Sequence, residues 1–500
     1  MLSTYTSVLY ARIDPPVQRR MGRTGAAMPS SRPSSPPPGS RAHGPGRRPP
    51  GPRIPVLPAL RLLHDPVSYL EAQRRRYGPV FAIRFPGLPP EVFVTTAELA
   101  ERVYALDAEG GRAGEVRRRF LEPMVGHHSL LTLDHEPWLR HRRLLTPPLH
   151  GRAVSGYRDD IARIAAEEIE TWPLGTPFAL RERVQRITLE VILRLVFGID
   201  DARRLARLRV LIPRMMEAAG TVVLMLPPGV RERAASLPLR RVPFLGRFAE
   251  LRAEVDGILY EEIARRRALA EAGADGGTGT DVLSRLMAAR DEDGRPMPDR
   301  ELRDELITML QAGHETTATG LAWAFERLTR APQALERLRR EVDAGDDDRY
   351  LQAVVKEALR CRPVVWDVSR LVDVPLRLGG YEVPAGWFAS PLIALIHRDP
   401  EAFPQPDVFR PERFLGPEAA RANRAWQPFG GGRRYCVGAQ LALLEMRVII
   451  AEVLRRVEPL PADPGRPERQ RMQHVTLVPS RRARVVVRAR TGSPQEARPR

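Results

Sequence analysis

The stretch 299–330 sets the scale of whatever this chain folds into. Its residues read as one long helix, opened by Pro298-Asp299 as the cap and closed at Ala331-Pro332. At 1.5 Å per residue such a helix runs roughly 45 Å, the span of a whole domain. Amphipathic helical patterns also cover 159–172 and 247–271. Strand signals are few and short, mainly 81–95 and 371–395, and Gly273–Thr280 reads as a loop. The fold class is therefore mainly α with a small β region, in a single large domain built around the long helix.

The domain is expected to span residues 51–490, starting near Pro49-Pro50-Gly51-Pro52. Residues 1–50 are rich in Pro, Ser, Gly and Arg and bury too little apolar surface to offset their ordering entropy, so they are expected to be disordered. The basic tail 491–500 is expected to be disordered as well. The net charge of +18 sits largely in these ends. Residues 1–55 hold about +8 and residues 481–500 about +6. Basic residues are almost all Arg, with Lys356 the single lysine. No nucleic-acid-binding module accompanies the charge, so a nucleic-acid partner is not expected. The longest apolar stretch, around Val222–Leu226, is broken by Pro227 and Pro228. It falls short of the roughly 20 residues that a membrane span needs. No membrane anchor is expected, and the chain reads as soluble, cytoplasmic and monomeric.

Two cysteines, Cys361 and Cys436, allow no disulfide framework and no four-cysteine zinc site. His314-Glu315 begins like a zinc-hydrolase motif, but position 318 is Ala. Cys361 reads as a small core residue. Cys436 is different. It follows a glycine-rich turn, Phe429-Gly430-Gly431-Gly432-Arg433-Arg434-Tyr435, and precedes a long apolar helix over 439–454. Glycines permit positive φ and close approach to a flat ligand. Backbone N–H groups and the helix N-terminus would favour thiolate over thiol. Arg434 could pair with a ligand carboxylate, and Phe429 could shield the loop. Three plainer readings compete. A phosphate loop would need a following Lys-Ser/Thr, which is absent. A catalytic nucleophile would need a nearby His, and none flanks Cys436. An ordinary buried cysteine stays open on the residues alone.

The segment resembles the haem-binding signature of the cytochrome P-450 superfamily, Phe-x-x-Gly-x-Arg-x-Cys-x-Gly. Phe429, Gly432, Arg434, Cys436 and Gly438 all match. The resemblance implies haem b with Cys436 as the axial iron ligand, in a fold whose long helix lies over the haem. A thiolate ligand pushes electron density onto iron and favours O–O cleavage. Further stretches match in the family's order. Glu357 and Arg360, with Arg413 from a later loop, are similar to a buried structural triad. Ala312-Gly313-His314-Glu315-Thr316-Thr317 resembles the oxygen-activation motif. There the resemblance implies that Thr316 hydrogen-bonds dioxygen and that Glu315 helps deliver protons. Trp138 and Arg142 resemble a pair that holds a haem propionate, and Arg370 resembles a further propionate arginine.

The implied activity is monooxygenation of a small hydrophobic substrate. No flavin or iron–sulfur segment is fused to the chain, so the resemblance implies electrons from NAD(P)H through a separate ferredoxin and ferredoxin reductase. Arg140, Arg143 and Arg433 are the candidates for steering that acidic partner. The substrate pocket is expected to be lined by loop 111–130, Met309–Leu310, Val364–Val368 and residues 472–477. Asp367 could orient a polar or cationic substrate group. A peroxygenase or haem isomerase, which would use the same loop, and a non-enzymatic haem sensor or helper subunit remain alternatives.

Overall fold

The structure is a computed structural model that describes residues 46–52, 65–85, 89–199, 201–219, 243–272, 281–345 and 347–490. The stretch 222–226, the loop 273–280, residues 1–45 and the tail 491–500 lie outside the described residues. Residues 46–50, expected to be disordered, are ordered against the domain. Pro50 O accepts from Ala82 N at 2.8 Å. A Cβ at Gly51 would stand 1.7 Å from Ala82 O, so only glycine permits that approach.

The long helix forms over Asp299–Leu328 and is numbered α5; α1–α4 are Ala97–Glu109, Ala113–Val125, His135–Leu145 and Leu180–Val191. Two further helices frame the site, α6 over Arg349–Cys361 and α7 over Ala439–Arg456. Helix α5 is buried along most of its length, from Leu302 to Leu328, so it forms the axis of the core. Acids Asp299 and Glu301 occupy its first turn and Arg327 its last, in accord with the helix dipole. Pro298 holds the cap position without a side-chain hydrogen bond. Asp299, expected as part of the cap, lies inside the first turn and pairs with Arg267 at 2.6 Å instead. Gly313 lets the π-helical turn Ile192–Val196 that follows α4 pack closely, because a Cβ there would meet Ile192 Cδ1 at 2.7 Å. The helix expected over 159–172 ends at Ile169, and the one expected over 247–271 starts earlier, at Pro243.

The β region is smaller and more broken than its sequence signals. Strands β1 (Val80–Ile83) and β2 (Glu91–Val94) are separated by Pro89-Pro90, which supply no N–H to a ladder. With β3 (Gly111–Arg112), β4 (Arg370–Val372) and β5 (Phe388–Pro391) they form a sheet in the order β1-β2-β5-β4-β3. Val80 faces Val94 in the antiparallel β1–β2 pair, and Glu91 faces Phe388 in the parallel β2–β5 pair. The expected 371–395 strand region is interrupted by the Gly379-Gly380 turn, with φ 55° and 82°. It closes in a short helix, Ile393–Ile396. A hairpin of β6 (Gln470–Gln473) and β7 (Thr476–Pro479) reaches α5, where Trp323 Nε1 donates to Leu477 O at 2.9 Å. No helix among the described residues is long and apolar enough to cross a membrane.

Candidate functional site

The cysteine loop is shaped by its glycines. Gly430 and Gly432 have φ of 73° and 65°, where side chains are strained. At Gly432 a Cβ would also stand 2.9 Å from both Tyr104 Cβ and Tyr104 O. The loop closes through Cys436 N, which donates to Phe429 O at 3.0 Å. Phe429 stands edge-on to Trp426 and Tyr435, with ring centroids 5.9 and 6.1 Å away. Cys436 keeps accessible surface although it lies deep in the protein, so the space it faces is internal. Burial pushes its thiol up. The N–H groups of Gly438 and Ala439 and the guanidinium groups of Arg142 and Arg117 pull the other way. A Cβ on Gly438 would meet no atom within 4 Å, so there is room two residues beyond the cysteine.

Four arginines converge on this region, and three are already committed. Arg434 donates to Leu133 O at 2.8 Å and Asp134 Oδ1 at 2.6 Å, and its guanidinium stacks 4.3 Å from the Trp138 ring centroid. Arg370 is held by both oxygens of Asp107, at 2.6 and 3.1 Å. Arg142 donates to Tyr435 O at 2.7 Å. The structure therefore gives Arg434 and Arg370 protein carboxylates where the sequence suggested ligand carboxylates. The fourth cation is Arg117 on α2. Among the described residues it makes no hydrogen bond or ion pair. Burial and the neighbouring Arg370 hold it down to about 10. Burial and Arg117 hold Arg434 down to about 9. Sequence reasoning missed Arg117 because it sits in an ordinary Arg run, Arg117-Arg118-Arg119, with no motif around it.

The middle of α5 is the part of that helix which opens. Ala312 is exposed and Gly313 and Thr316 are half-buried, between fully buried turns on either side. Thr316 Oγ1 donates back to Ala312 O at 2.5 Å, the i−4 bond that competes with helix geometry. Glu315 does not join Thr316. It is buried and pairs with Arg181 of α4 at 2.6 Å, with Gln473 Nε2 at 3.4 Å. Arg181 also donates to Thr319 Oγ1 at 3.2 Å. This pair lies in a polar cleft of about 2090 Å³ that also takes in His314, Gln473 and His474.

Glu357, Arg360 and Arg413 come together with no exposure above 1%. Arg360 makes a two-pronged pair with Glu357 at 2.7 and 2.8 Å, and Arg413 Nε reaches Glu357 Oε1 at 3.3 Å. Cys361 is buried beside them, its sulfur 2.7 Å from Arg360 Nη2, and burial followed by Glu357 pushes its thiol up to about 12.

Several expected positions do not lie as anticipated. Leu310 is sealed in the core at 0% exposure, so it cannot line a cavity, and Val364 is buried at 7%. Asp367 shares Ser369 Oγ with Glu91, at 3.2 and 3.0 Å. Burial and Glu91 push Asp367 well above the usual carboxylate range. Arg140 is taken by Asp291 and Glu301, at 2.7 and 2.6 Å, and Arg143 by Glu292. Arg433 is exposed and, among the described residues, without a partner.

The donor set fits a flat, dicarboxylate iron macrocycle. It offers one soft sulfur ligand in an internal space, open room two residues beyond it, and an uncommitted cation within electrostatic reach of that sulfur. Among the described residues no three His, Cys, Asp or Glu side chains are placed to hold a bare metal ion. An iron bound here would bring its other ligands with it.

The comparisons with known proteins agree. The sequence profile of the family described as Cytochrome P450 matches residues 45–487. The chain is 42% identical over 449 residues to the putative cytochrome P450 135B1 of Mycobacterium tuberculosis, covering 88% of this chain and 91% of the relative. It is 36% identical to the putative cytochrome P450 137 of the same organism, covering 82% and 83%. Among solved structures, the retinoic acid-bound cyanobacterial CYP120A1 superimposes with a TM-score of 0.74 at 23% identity, covering 89% of this chain and all of that one. The cytochrome P450DA haem domain gives a TM-score of 0.73 at 24% identity, covering 90% and 98%. At those identities the two structures establish the fold alone. The family profile and the mycobacterial relatives carry the assignment: this chain belongs to the cytochrome P450 family, the haem-thiolate monooxygenases.

Proposed function

We propose that the protein binds haem b through Cys436 and oxidises a small hydrophobic substrate, drawing electrons from NAD(P)H through a separate ferredoxin and ferredoxin reductase. The observation that carries this reading is Cys436, deep in the protein yet facing open internal space, with N–H groups and cations around its sulfur. When bound, the haem supplies the reductive activation of dioxygen and the transfer of one oxygen atom.

The chain's own residues do the rest. Cys436 gives the thiolate. Arg117, with no hydrogen bond or ion pair among the described residues, would pair with a haem carboxylate. Trp138, Arg142, Arg434 and Arg370 form the wall beside it. Thr316, at the open stretch of α5, has a hydroxyl held by a single bond to Ala312 O, which it can exchange for one to a bound molecule. Glu315 supplies protons from the polar cleft once it loosens from Arg181. Phe429 keeps water from the loop. Glu357, Arg360 and Arg413 hold the 397–408 backbone through the carbonyls of His397, Gln405 and Val408 rather than touching substrate.

Arg433 is the exposed arginine beside the cysteine loop that is free to steer an acidic ferredoxin. Reconstitution with a ferredoxin, its reductase and NAD(P)H tests the reading. The expected result is one oxygenated product per dioxygen and NAD(P)H consumed with a hydrophobic substrate. Turnover that proceeds with hydrogen peroxide and never with the redox proteins would overturn it.

A further inference from the structure

Asp134 stands where a helix cap belongs and serves two other partners. It precedes α3 with extended φ and ψ of −127° and 167°, yet its carboxylate makes no hydrogen bond to the first turn of α3. Aspartate at that position ordinarily accepts one. Here Oδ1 accepts from Gly114 N and Oδ2 from Glu115 N, both at 2.7 Å. Those amides belong to the first turn of α2, whose own cap residue, Arg112, offers no side-chain acceptor. Oδ1 also takes the 2.6 Å bond from Arg434 Nη2, and the carboxylate is 7% exposed.

The local backbone is arranged for this. His135, the next residue, has φ of 53°, a region that non-glycine residues occupy at a cost and mostly at functional sites. Gly114 allows the approach from the other side, because a Cβ there would stand 2.3 Å from Leu133 O and 2.8 Å from Asp134 Cγ. A forgone cap, a strained residue and an obligatory glycine thus converge on one carboxylate.

That carboxylate joins the two elements carrying the cations of the site. Arg117 lies on α2 just beyond Gly114 and Glu115, and Arg434 lies on the cysteine loop. The two guanidinium groups repel each other, and Asp134 attracts both. We infer that Asp134 is a positioning residue: it ties the first turn of α2 to Arg434 and so sets Arg117, beside the committed Arg434, to receive a carboxylate of the haem. This rests on the haem-binding reading proposed above.

The test uses Asp134→Ala, Asp134→Asn, Arg117→Met and the double variant Asp134→Ala/Arg117→Met. Two quantities are measured: haem transfer to apomyoglobin, and amide hydrogen exchange of residues 113–119 with and without haem. Asp134→Ala should speed exchange at Gly114 and Glu115 in both forms and speed haem loss about tenfold, the scale of one lost charge-assisted hydrogen bond. Asp134→Asn keeps an acceptor for the amides but not the charge, so it should fall between. Arg117→Met should speed haem loss far less in the Asp134→Ala background than alone, because its guanidinium is already misplaced. Unchanged exchange in α2, or haem-loss factors that simply multiply, would overturn the proposal. If Asp134→Ala does not fold, Asp134→Asn with Arg117→Met completes the same cycle. Wild-type protein that retains no haem overturns the underlying reading, whatever the exchange shows.

Discussion

His141 gives a stability prediction with a worked sign. It lies on α3 between Trp138 and Arg142, 3% exposed, with Nδ1 2.7 Å from Glu305 and Nε2 3.2 Å from Glu301. Burial disfavours its charge, but hydrogen bonds to Glu301 and Glu305 outweigh that and raise it from 6.5 to about 9. A raised value means that the stabilisation is complete below pH 6.5 and disappears as pH climbs through 9. The shift corresponds to something on the order of 3 kcal/mol. Burial also pushes Glu305 up, a cost that is absent in acid and sets in as pH rises past the ordinary carboxylate range; the alkaline limb belongs to His141. His141→Gln leaves Glu305 buried with one oxygen already unpartnered, which should cost about 3 kcal/mol near pH 6.5. Chemical denaturation at pH 6.5, 8 and 9.5 reads both effects. Wild type should lose most of the His141 contribution across that range, and His141→Gln should show a much flatter profile. Parallel profiles for the two proteins would show that the imidazolium between Glu301 and Glu305 is not what holds α3 to α5.

Three further outcomes follow from the same geometry. Glu357→Ala strands Arg360 and Arg413 in the core, at roughly 3–5 kcal/mol, and should abolish recovery of folded, haem-loaded protein; a normal yield would contradict the triad's structural role. Arg117→Met removes no hydrogen bond or ion pair among the described residues, so the melting temperature of the haem-free protein should stay within about 2 °C while haem loss accelerates; equal effects on both would make Arg117 structural. Charge reversal at Arg433 should slow reduction by an acidic ferredoxin and flatten its salt dependence, whereas reversal at Arg143 should change reduction less, because Glu292 already neutralises it. Stopped-flow reduction at two salt concentrations separates these.

The long helix and the cysteine loop were legible because local chemistry determines them. Pro298 and Pro332 bracket α5, and the glycines around Arg433 and Arg434 dictate the turn whatever surrounds it. Charge pairing was not legible. Arg434 finds Asp134 three hundred positions away, and Arg370 finds Asp107 across 263. Nothing in the spacing of Gly-Gly-Arg-Arg-Tyr-Cys says which carboxylate will arrive. The same blindness applies to Glu315, whose partner Arg181 lies on α4, and to Arg140 and Arg143, which look like free cations until the loop at Asp291 and Glu292 covers them. Leu310 fits a pocket-lining pattern by position alone, but helix periodicity could not say that its face turns into the core. Asp134 was hidden for a related reason, since a residue before a helix reads as a cap and its side chain caps a different helix.

The most direct test of the central claim is the carbon monoxide difference spectrum of the reduced protein, measured beside Cys436→Ala. Thiolate ligation by Cys436 predicts a strongly red-shifted Soret band in wild type that is absent from the variant. A folded, haem-loaded wild type without that band would mean that Cys436 does not ligate the iron, and the monooxygenase account would fall with it.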